Sequence, residues 1–487
     1  MNQESAVLAI DIGASNGRAV LGFFDGEEIA LEEVHRFPNE PIMKNGTMCW
    51  DTETLFEGIK TGIIKAKEFG EIQSIGIDTW GVDFGLLDGK GKLLQNPVHY
   101  RDKRTEGILD TAFKRITERE LYFSTGNQIM EINTAFQLLS LSEKQPDLLA
   151  SADCLLLMPD LFNYLLTGVK STEQSIASTT QLLDSGIGSW SSDILDAFGI
   201  KESLFTKITS GGTILAPVSD KLCRELNIAS IPVISVAGHD TQCAQLAVPA
   251  EEASFAFISS GTWSLLGTEL DAPLIHEQTY RNNFTNELGF GGKTSLLKNI
   301  TGLWLIQECR RQWKKEGYDY SFSELEAMAK SSPGFTGFID PDNPEFSKSG
   351  DLPGRIREFC FKTGQVIPEN YTQVVNCIYG SLALKYRHCM NQLEQCTGCS
   401  YPAVHIVGGG AKDEYLSQLA ADATGKIVFA GPEEATVLGN LCIQLLTLGK
   451  ISDIKSAREM IRNSQKVKQF IPADTAAWDI AYKRFWK

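Results

Sequence analysis

Val7 to Ile10 form an unbroken apolar run that ends at Asp11, and after Gly13-Ala14-Ser15-Asn16-Gly17 the run resumes from Ala19 to Gly22. This pattern predicts strands over 7–12 and 17–24 joined as a β-hairpin, with a third strand over 27–36 after an Asp25-Gly26 turn. Leu55, Ile59 and Ile63 then recur at helical spacing behind Asp51, a helix N-cap, with Glu53 in the first turn. SIGIDTWGVDFGLLD predicts strands at 74–78 and 83–87. Helices dominate from 105 to 205, where DLFNYLLTG stops at Gly168.

The pattern returns to strand at IPVISVAGHDT and again at FAFISSGTWSLLGTEL, 255–270, which repeats the plan of the first hairpin around a Ser-Ser-Gly-Thr tip. Helices are predicted over 299–316 and 370–396. VHIVGGG runs from a strand into three glycines, and a helix follows behind Asp413. After the strand KIVFA another helix starts at Pro432, with Ala435 and Gly439 on one small face. Two halves of like plan, each opening on a hairpin and alternating strands with helices, predict an α/β protein with mixed sheets. Two facing domains with a cleft between them are expected, 1–245 and 246–487.

Composition narrows the class. A chain of 487 residues exceeds one hydrophobic core, and 43% hydrophobic with 22% charged residues fits a soluble globular protein. The net charge of −16 argues against nucleic acid and anionic membranes as partners, yet leaves room for an anion at a locally positive site. No apolar stretch is long enough for a bilayer, and MNQESAVLAI lacks the features of a signal peptide. The 11 cysteines, an odd number, suit reduced thiols, so a cytoplasmic location is expected. His388, Cys389, Cys396 and Cys399 could be read as a zinc cluster, but they lie where a helix enters a turn, and packing explains them better.

Candidate chemistry gathers at the loops. The tip Ala14-Ser15-Asn16-Gly17, with Arg18 as a charged donor, is a small-residue turn whose backbone N–H groups suit phosphate. SSGTWS at 259–264, with the Thr262 hydroxyl, is a second, and glycines 408–410 are a third. One such loop is only a turn; two at matching places read as holding the ends of a polyphosphate. Asp11 beside the first tip suits Mg²⁺ bound through water, or else simply caps a turn. GGKTS at 291–295 is no P-loop, because Glu287 stands where its first glycine is required. In AGHDT, Asp240 is placed to take a hydroxyl proton during phosphoryl transfer, although a His–Asp pair can merely close a turn. Trp80 and Gly81 of IDTWGVD offer a ring face and open backbone to a sugar, and Trp80 could equally be core. Asn299 and Gln307, polar on one predicted helix, could face a cleft.

These residues resemble the FGGY carbohydrate kinases of the actin-like ATPase superfamily, over nearly the whole chain. The carrying motifs are DIGASNGR (11–18), IDTWGVDF (77–84), HYRDKRT (99–105), AGHDT (237–241), SSGTWSLLG (259–267), LKNITGLWLIQ (297–307) and IVGGGAKDEYLSQLAADATG (406–425). The resemblance implies two actin-like (ribonuclease H-like) domains, with sugar mainly on the first, ATP mainly on the second, and Mg²⁺. Position by position, it implies that Ala14, Ser15, Asn16, Gly17 and Arg18 contact ATP phosphates, that Thr262 and Gln307 contact ATP, and that Gly409 meets its adenine-nucleotide end. It implies sugar contacts from Gly81, His239, Asp240, Thr241 and Asn299, with Asp240 as proton acceptor and Asp11 beside the metal. Asn16 departs from the family's Ser, with little change expected. DTWGVD with SSGTWS resembles the branch acting on L-rhamnulose, so the expected reaction is its phosphorylation at O1 by ATP. Another ketose (L-fuculose or a pentulose) and a non-catalytic actin-like ATPase switch are the alternatives, and AGHDT speaks against the second. Small molecules are the expected partners, with monomer or dimer left open.

Overall fold

A computed structural model of the chain describes residues 5–332, 334–346 and 348–486. They fold as two compact units. The first comprises Met1–Pro249, Glu269–Leu296 and Ala435–Ser464; the second comprises Ala250–Thr268, Leu297–Glu434 and Gln465–Lys487. The segments 269–296 and 435–464 thus join the N-terminal part.

The first unit is built on a six-stranded sheet in the order Thr213–Pro217, Pro232–Ser235, Ile72–Thr79, Ser5–Ile12, Asn16–Phe24, Ile29–Pro38. The three N-terminal strands form an antiparallel meander, as the hairpin pattern predicts. Ser5–Ile12 and Pro232–Ser235 both run parallel to Ile72–Thr79. That central part is buried, and the apolar run Val7–Ile10 in Ser5–Ile12 reflects it.

The helix Thr52–Ala66 covers one face with Leu55, Ile59 and Ile63, and Asp51 caps it by accepting the Thr54 N–H. Its Gly62 lies against Ala19. Gly22, on the other side of the same pleat, meets Leu441 of the helix Ala435–Thr447, which therefore covers the opposite face. This helix starts three residues past Pro432, and its small face has a definite neighbour. A Cβ on Gly439 would stand 1.9 Å from the Cys243 carbonyl oxygen, so only glycine lets the helix Asp240–Leu246 approach. Its buried amides bond to the sheet: Gln444 Nε2 donates to Leu8 O (3.0 Å), and Asn440 Nδ2 to Asp78 Oδ2 (2.6 Å).

In the second unit the hairpin of Ala256–Ser260 and Trp263–Leu270 lies beside Ala403–Val407, Ile427–Ala430 and Lys468–Phe470, in that sheet order from Trp263–Leu270 outward. The helix Tyr371–Thr397 is capped by Asn370 and ends at Gly398, and Asp413 caps Glu414–Thr424. The helix predicted over 299–316 is corrected. Thr294–Thr301 is a strand and the helix runs Trp304–Lys315. Pairing in the sheet overrides the helical reading of residues 299–301, whose Ile and Thr suit a strand. Asn299 therefore sits on a strand, and only Gln307 on the helix.

His388 is stacked on Trp486 with ring centroids 4.1 Å apart and bonds to the Tyr482 hydroxyl, and burial drives its pKa down to about 4. Cys389 and Cys396 are buried beside it on the same helix. No group of three or more His, Cys, Asp or Glu among the described residues is arranged to hold a metal ion. No helix among the described residues is long and apolar enough to cross a membrane.

Candidate active site

The parallel strands Ser5–Ile12, Ile72–Thr79 and Pro232–Ser235 end side by side. Asp11 is level with Asp78 in the register of the first two, and a further bridge pairs Thr79 with His239, the Thr79 N–H donating to Gly238 O at 2.9 Å. Trp80 N–H donates to Ile12 O (3.3 Å). The carboxyl ends of parallel strands are where α/β sheets hold ligands, since the chain leaves the sheet there in loops and helix starts. This edge brings together the predicted residues of the first unit: Asp11, Ala14 to Arg18, Gly81, His239, Asp240 and Thr241.

The first tip is held from behind. Asn39 Nδ2 donates to Gly13 O (2.8 Å) and Asn39 N–H to Ser15 O (3.2 Å). Gly13 N–H is taken up inside the turn by Asn16 O (3.0 Å), which leaves the stretch from Ala14 onward as the part able to meet a ligand. Gly17 is glycine for another reason: a Cβ there would stand 2.3 Å from the Phe37 ring. Arg18 Nη2 lies 2.5 Å from Asp11 Oδ2.

Asp240 is the first residue of its helix, with its side chain 29% exposed, and Thr241 Oγ1 donates to its Oδ1 (3.2 Å). Burial and the Asp11 charge push its pKa up, and the neighbouring His239 opposes them. The turn before it is clamped by Glu173. One oxygen of that buried carboxylate, Oε2, accepts from Gly238 N (2.8 Å), Ser175 N (2.8 Å) and Ser175 Oγ (2.5 Å), and Ser175 Oγ in turn accepts the His239 N–H (3.2 Å). His239 Nδ1 lies 2.8 Å from Glu287 Oε2, and its Nε2 lies 3.5 Å from Asp240 Oδ1. Gly81 is adjacent, since a Cβ on it would come within 3.4 Å of His239 Nε2.

Trp80 packs as core. Its indole N–H donates to Asp83 Oδ2 (3.0 Å), as does that of Trp50 (2.6 Å), and the two rings lie 4.2 Å apart. Burial lifts the Asp83 pKa to about 6 against these hydrogen bonds.

A divalent cation would find suitable groups here. Asp78 is buried, its pKa is raised well above the usual range by burial and then by the Asp11 charge, and its Oδ1 has no hydrogen-bond partner. Asp11 and this orphaned oxygen fit a hard oxygen-loving ion that keeps most of its waters.

In the second unit the helix Trp304–Lys315 starts on the second tip, with Leu303 N–H donating to Gly261 O and Trp304 N–H to Thr262 O (both 3.1 Å). This places Thr262 Oγ1 3.5 Å from the Gln307 side-chain amide. Among the three glycines, Gly410 is packed against Ser260, whereas a Cβ on Gly409 would meet nothing within 4 Å. Gly409 is therefore the one with backbone open to a ligand. Asn299 lies at the burial boundary of its strand.

Sequence reasoning overlooked Asp78, Glu173, Glu287 and Asn39. Asp78 carries a readable signal, since IGID repeats the apolar-run-to-Asp ending of LAID. The other three act through contacts distant in sequence.

Known proteins resemble this arrangement throughout. The FGGY family of carbohydrate kinases matches by its N-terminal domain at residues 6–247 and by its C-terminal domain at 256–448. A rhamnulokinase of Bacteroides thetaiotaomicron is 43% identical over 478 residues, 98% of each chain. A rhamnulokinase of Oceanobacillus iheyensis is 40% identical over 94% of this chain and 96% of its own. Among solved structures, a ligand-bound xylulose kinase of Lactobacillus acidophilus matches with a TM-score of 0.82 at 17% identity, covering 99% of this chain and 97% of that one. Plasmodium falciparum glycerol kinase with ADP matches at 0.75 and 18%, covering 99% and 98%. These structural likenesses show the fold, a two-domain mixed α/β arrangement of the actin-like kind.

Proposed function

The chain belongs to the FGGY family of carbohydrate kinases, and on that footing we propose that it transfers the γ-phosphoryl group of ATP to O1 of L-rhamnulose, giving ADP and L-rhamnulose 1-phosphate. The identity of about 40% with rhamnulokinases, over nearly the full length of both partners, supports this choice of sugar and a place in rhamnose catabolism. The observation that carries the chemistry is the Asp240 carboxylate, part-exposed at the joint edge of three parallel strands and 3.5 Å from His239.

In the proposed reaction Asp240 takes the O1 proton as the oxygen attacks phosphorus, and the bond from phosphorus to the ADP oxygen breaks. In the first unit, Ala14, Ser15, Asn16, Gly17 and Arg18 bind phosphate, and Gly81, His239, Asp240 and Thr241 bind the ketose. In the second unit, Thr262, Gln307 and Gly409 bind the nucleotide, and Asn299 the ketose. Asp11 would hold Mg²⁺, which supplies positive charge to the phosphates when bound. The protein works in the cytoplasm, a reading supported by eleven cysteines that all remain thiols.

A panel of L-rhamnulose, L-fuculose and pentuloses, assayed by coupled ADP release with identification of the phosphorylated sugar, tests the proposal. It predicts the highest kcat/KM for L-rhamnulose. A higher value for another ketose overturns the sugar assignment, and ADP release without a phosphorylated product overturns the kinase reading.

A further inference from the structure

Resting on the kinase reading above, we propose that Glu287 is a positioning residue of the transfer site: it accepts the Nδ1 hydrogen of His239 and so turns the Nε2 side of that ring to Asp240 and the Gly81 backbone. Glu287 is 3% exposed and sits on the strand Thr285–Leu288, in a segment that the fold returns to the first unit. Its Oε2 lies 2.8 Å from His239 Nδ1 and accepts from Gln242 Nε2 (2.9 Å). Gln242 is fixed in turn, because its Oε1 accepts from Ser295 Oγ (2.8 Å). A buried carboxylate held by the anchored Gln242 amide is restricted in its side-chain geometry, and the imidazole bound to it is oriented by that geometry.

The charges around His239 come from three elements. Glu287 faces it from its own strand, Asp240 from the helix that His239 caps, and Glu173 from the strand Thr172–Glu173; Asp11 and Asp78 lie beyond Asp240. Burial alone would lower the His239 pKa. The Glu287 charge and hydrogen bond, followed by Asp240 and Glu173, outweigh it and lift the value to about 9. Both ring nitrogens then carry hydrogen at neutral pH. The resulting cation counteracts the burial that raises the Asp240 pKa and so favours its carboxylate form. During transfer the O1 proton passes to Asp240, O1 bonds to phosphorus, and ADP departs with the electron pair of the broken bond. His239 keeps its proton throughout, balanced by Glu287.

The test compares wild type with Glu287→Gln, which preserves size and one acceptor but removes the charge. Histidine ¹⁵N NMR reports His239 directly, with His239→Gln identifying its signals among the six histidines. The expected result is a midpoint near 9 in wild type that falls toward neutral or below in Glu287→Gln. In the same variant, kcat/KM for the ketose drops roughly 10- to 100-fold, the size of losing a charged hydrogen bond, while KM for ATP is unchanged. The pH–rate profile narrows on its alkaline side, where the limb moves down as His239 loses its proton sooner. Glu287→Asp, which keeps the charge, restores the alkaline limb, an effect that a loss of folding alone would not produce. Identical His239 titration in wild type and Glu287→Gln overturns the proposal, as does an unchanged pH–rate profile. If wild type phosphorylates no ketose, the functional reading fails instead, and the NMR comparison still decides the role of Glu287.

Discussion

Arg18 Nη2 stands 2.5 Å from Asp11 Oδ2, a pair that bridges the first hairpin directly opposite in its register. Both side chains are largely buried, and the buried Asp78 is level with Asp11 on the next strand. The guanidinium thus neutralises the carboxylate before any phosphate or cation arrives. Arg18→Ala leaves Asp11 uncompensated, and removing one partner of a buried pair costs about 3 kcal/mol. Urea unfolding is expected to show that loss, together with a raised KM for ATP. Unchanged stability would mean that solvent already screens the pair.

Asn39 holds the first tip by hydrogen bonds to the carbonyls of Gly13 and Ser15. Asn39→Ala removes the side-chain bond to Gly13 and frees the turn to rotate. With a hydrogen bond worth about 1 kcal/mol, KM for ATP is expected to rise severalfold while kcat with saturating ATP stays near wild type. Initial rates over a range of ATP concentrations measure both.

Gly439→Ala is expected to act at a distance. The new methyl would collide with the Cys243 carbonyl and push away the helix that begins with Asp240. Overpacking of this kind costs about 1–3 kcal/mol. The same shift moves the Asp240 carboxylate, so kcat falls along with the denaturation midpoint. Full kcat in a destabilised Gly439→Ala would show that the helix start stays fixed while its body yields.

His99 gives a pH prediction. Its ring stacks on Trp50 at 4.1 Å, and burial, then the Arg101 charge, holds its pKa at about 3. In the unfolded chain it titrates near 6.5, so below that value the unfolded state binds the extra proton. Stability contributed by neutral His99 is complete above pH 6.5 and lost as pH falls toward 3, on the order of 5 kcal/mol in all. Asp83, raised to about 6, works in the opposite sense between pH 6 and 4. His99→Gln removes the first slope alone, so its stability, followed by denaturant unfolding from pH 7 to 4, should fall less steeply than that of wild type. Equal slopes would contradict a neutral buried His99.

Much of this architecture is legible from local pattern, because local causes build it. The first hairpin, the helix capped by Asp51 and the long helix ending at Gly398 each carry their own start and stop chemistry. Asn299 shows the limit, since its segment becomes a strand through sheet pairing that no window of sequence contains. The chain's return into the first unit at 269–296 and 435–464 is likewise invisible locally. The candidate site divides in the same way. Asp11, His239 and Asp240 end apolar runs and stand out, while Glu287 attracts notice in sequence only as the residue that spoils a P-loop. Trp80 was open to either reading, and its bond to Asp83 places it with the core.

The rate of Asp240→Asn bears most directly on the chemistry. Asparagine keeps the shape beside His239 but cannot accept the O1 proton. With L-rhamnulose and MgATP saturating, kcat is expected to fall by about two powers of ten or more, with a smaller change in either KM. Turnover of Asp240→Asn within a few-fold of wild type would contradict the role of Asp240 as proton acceptor.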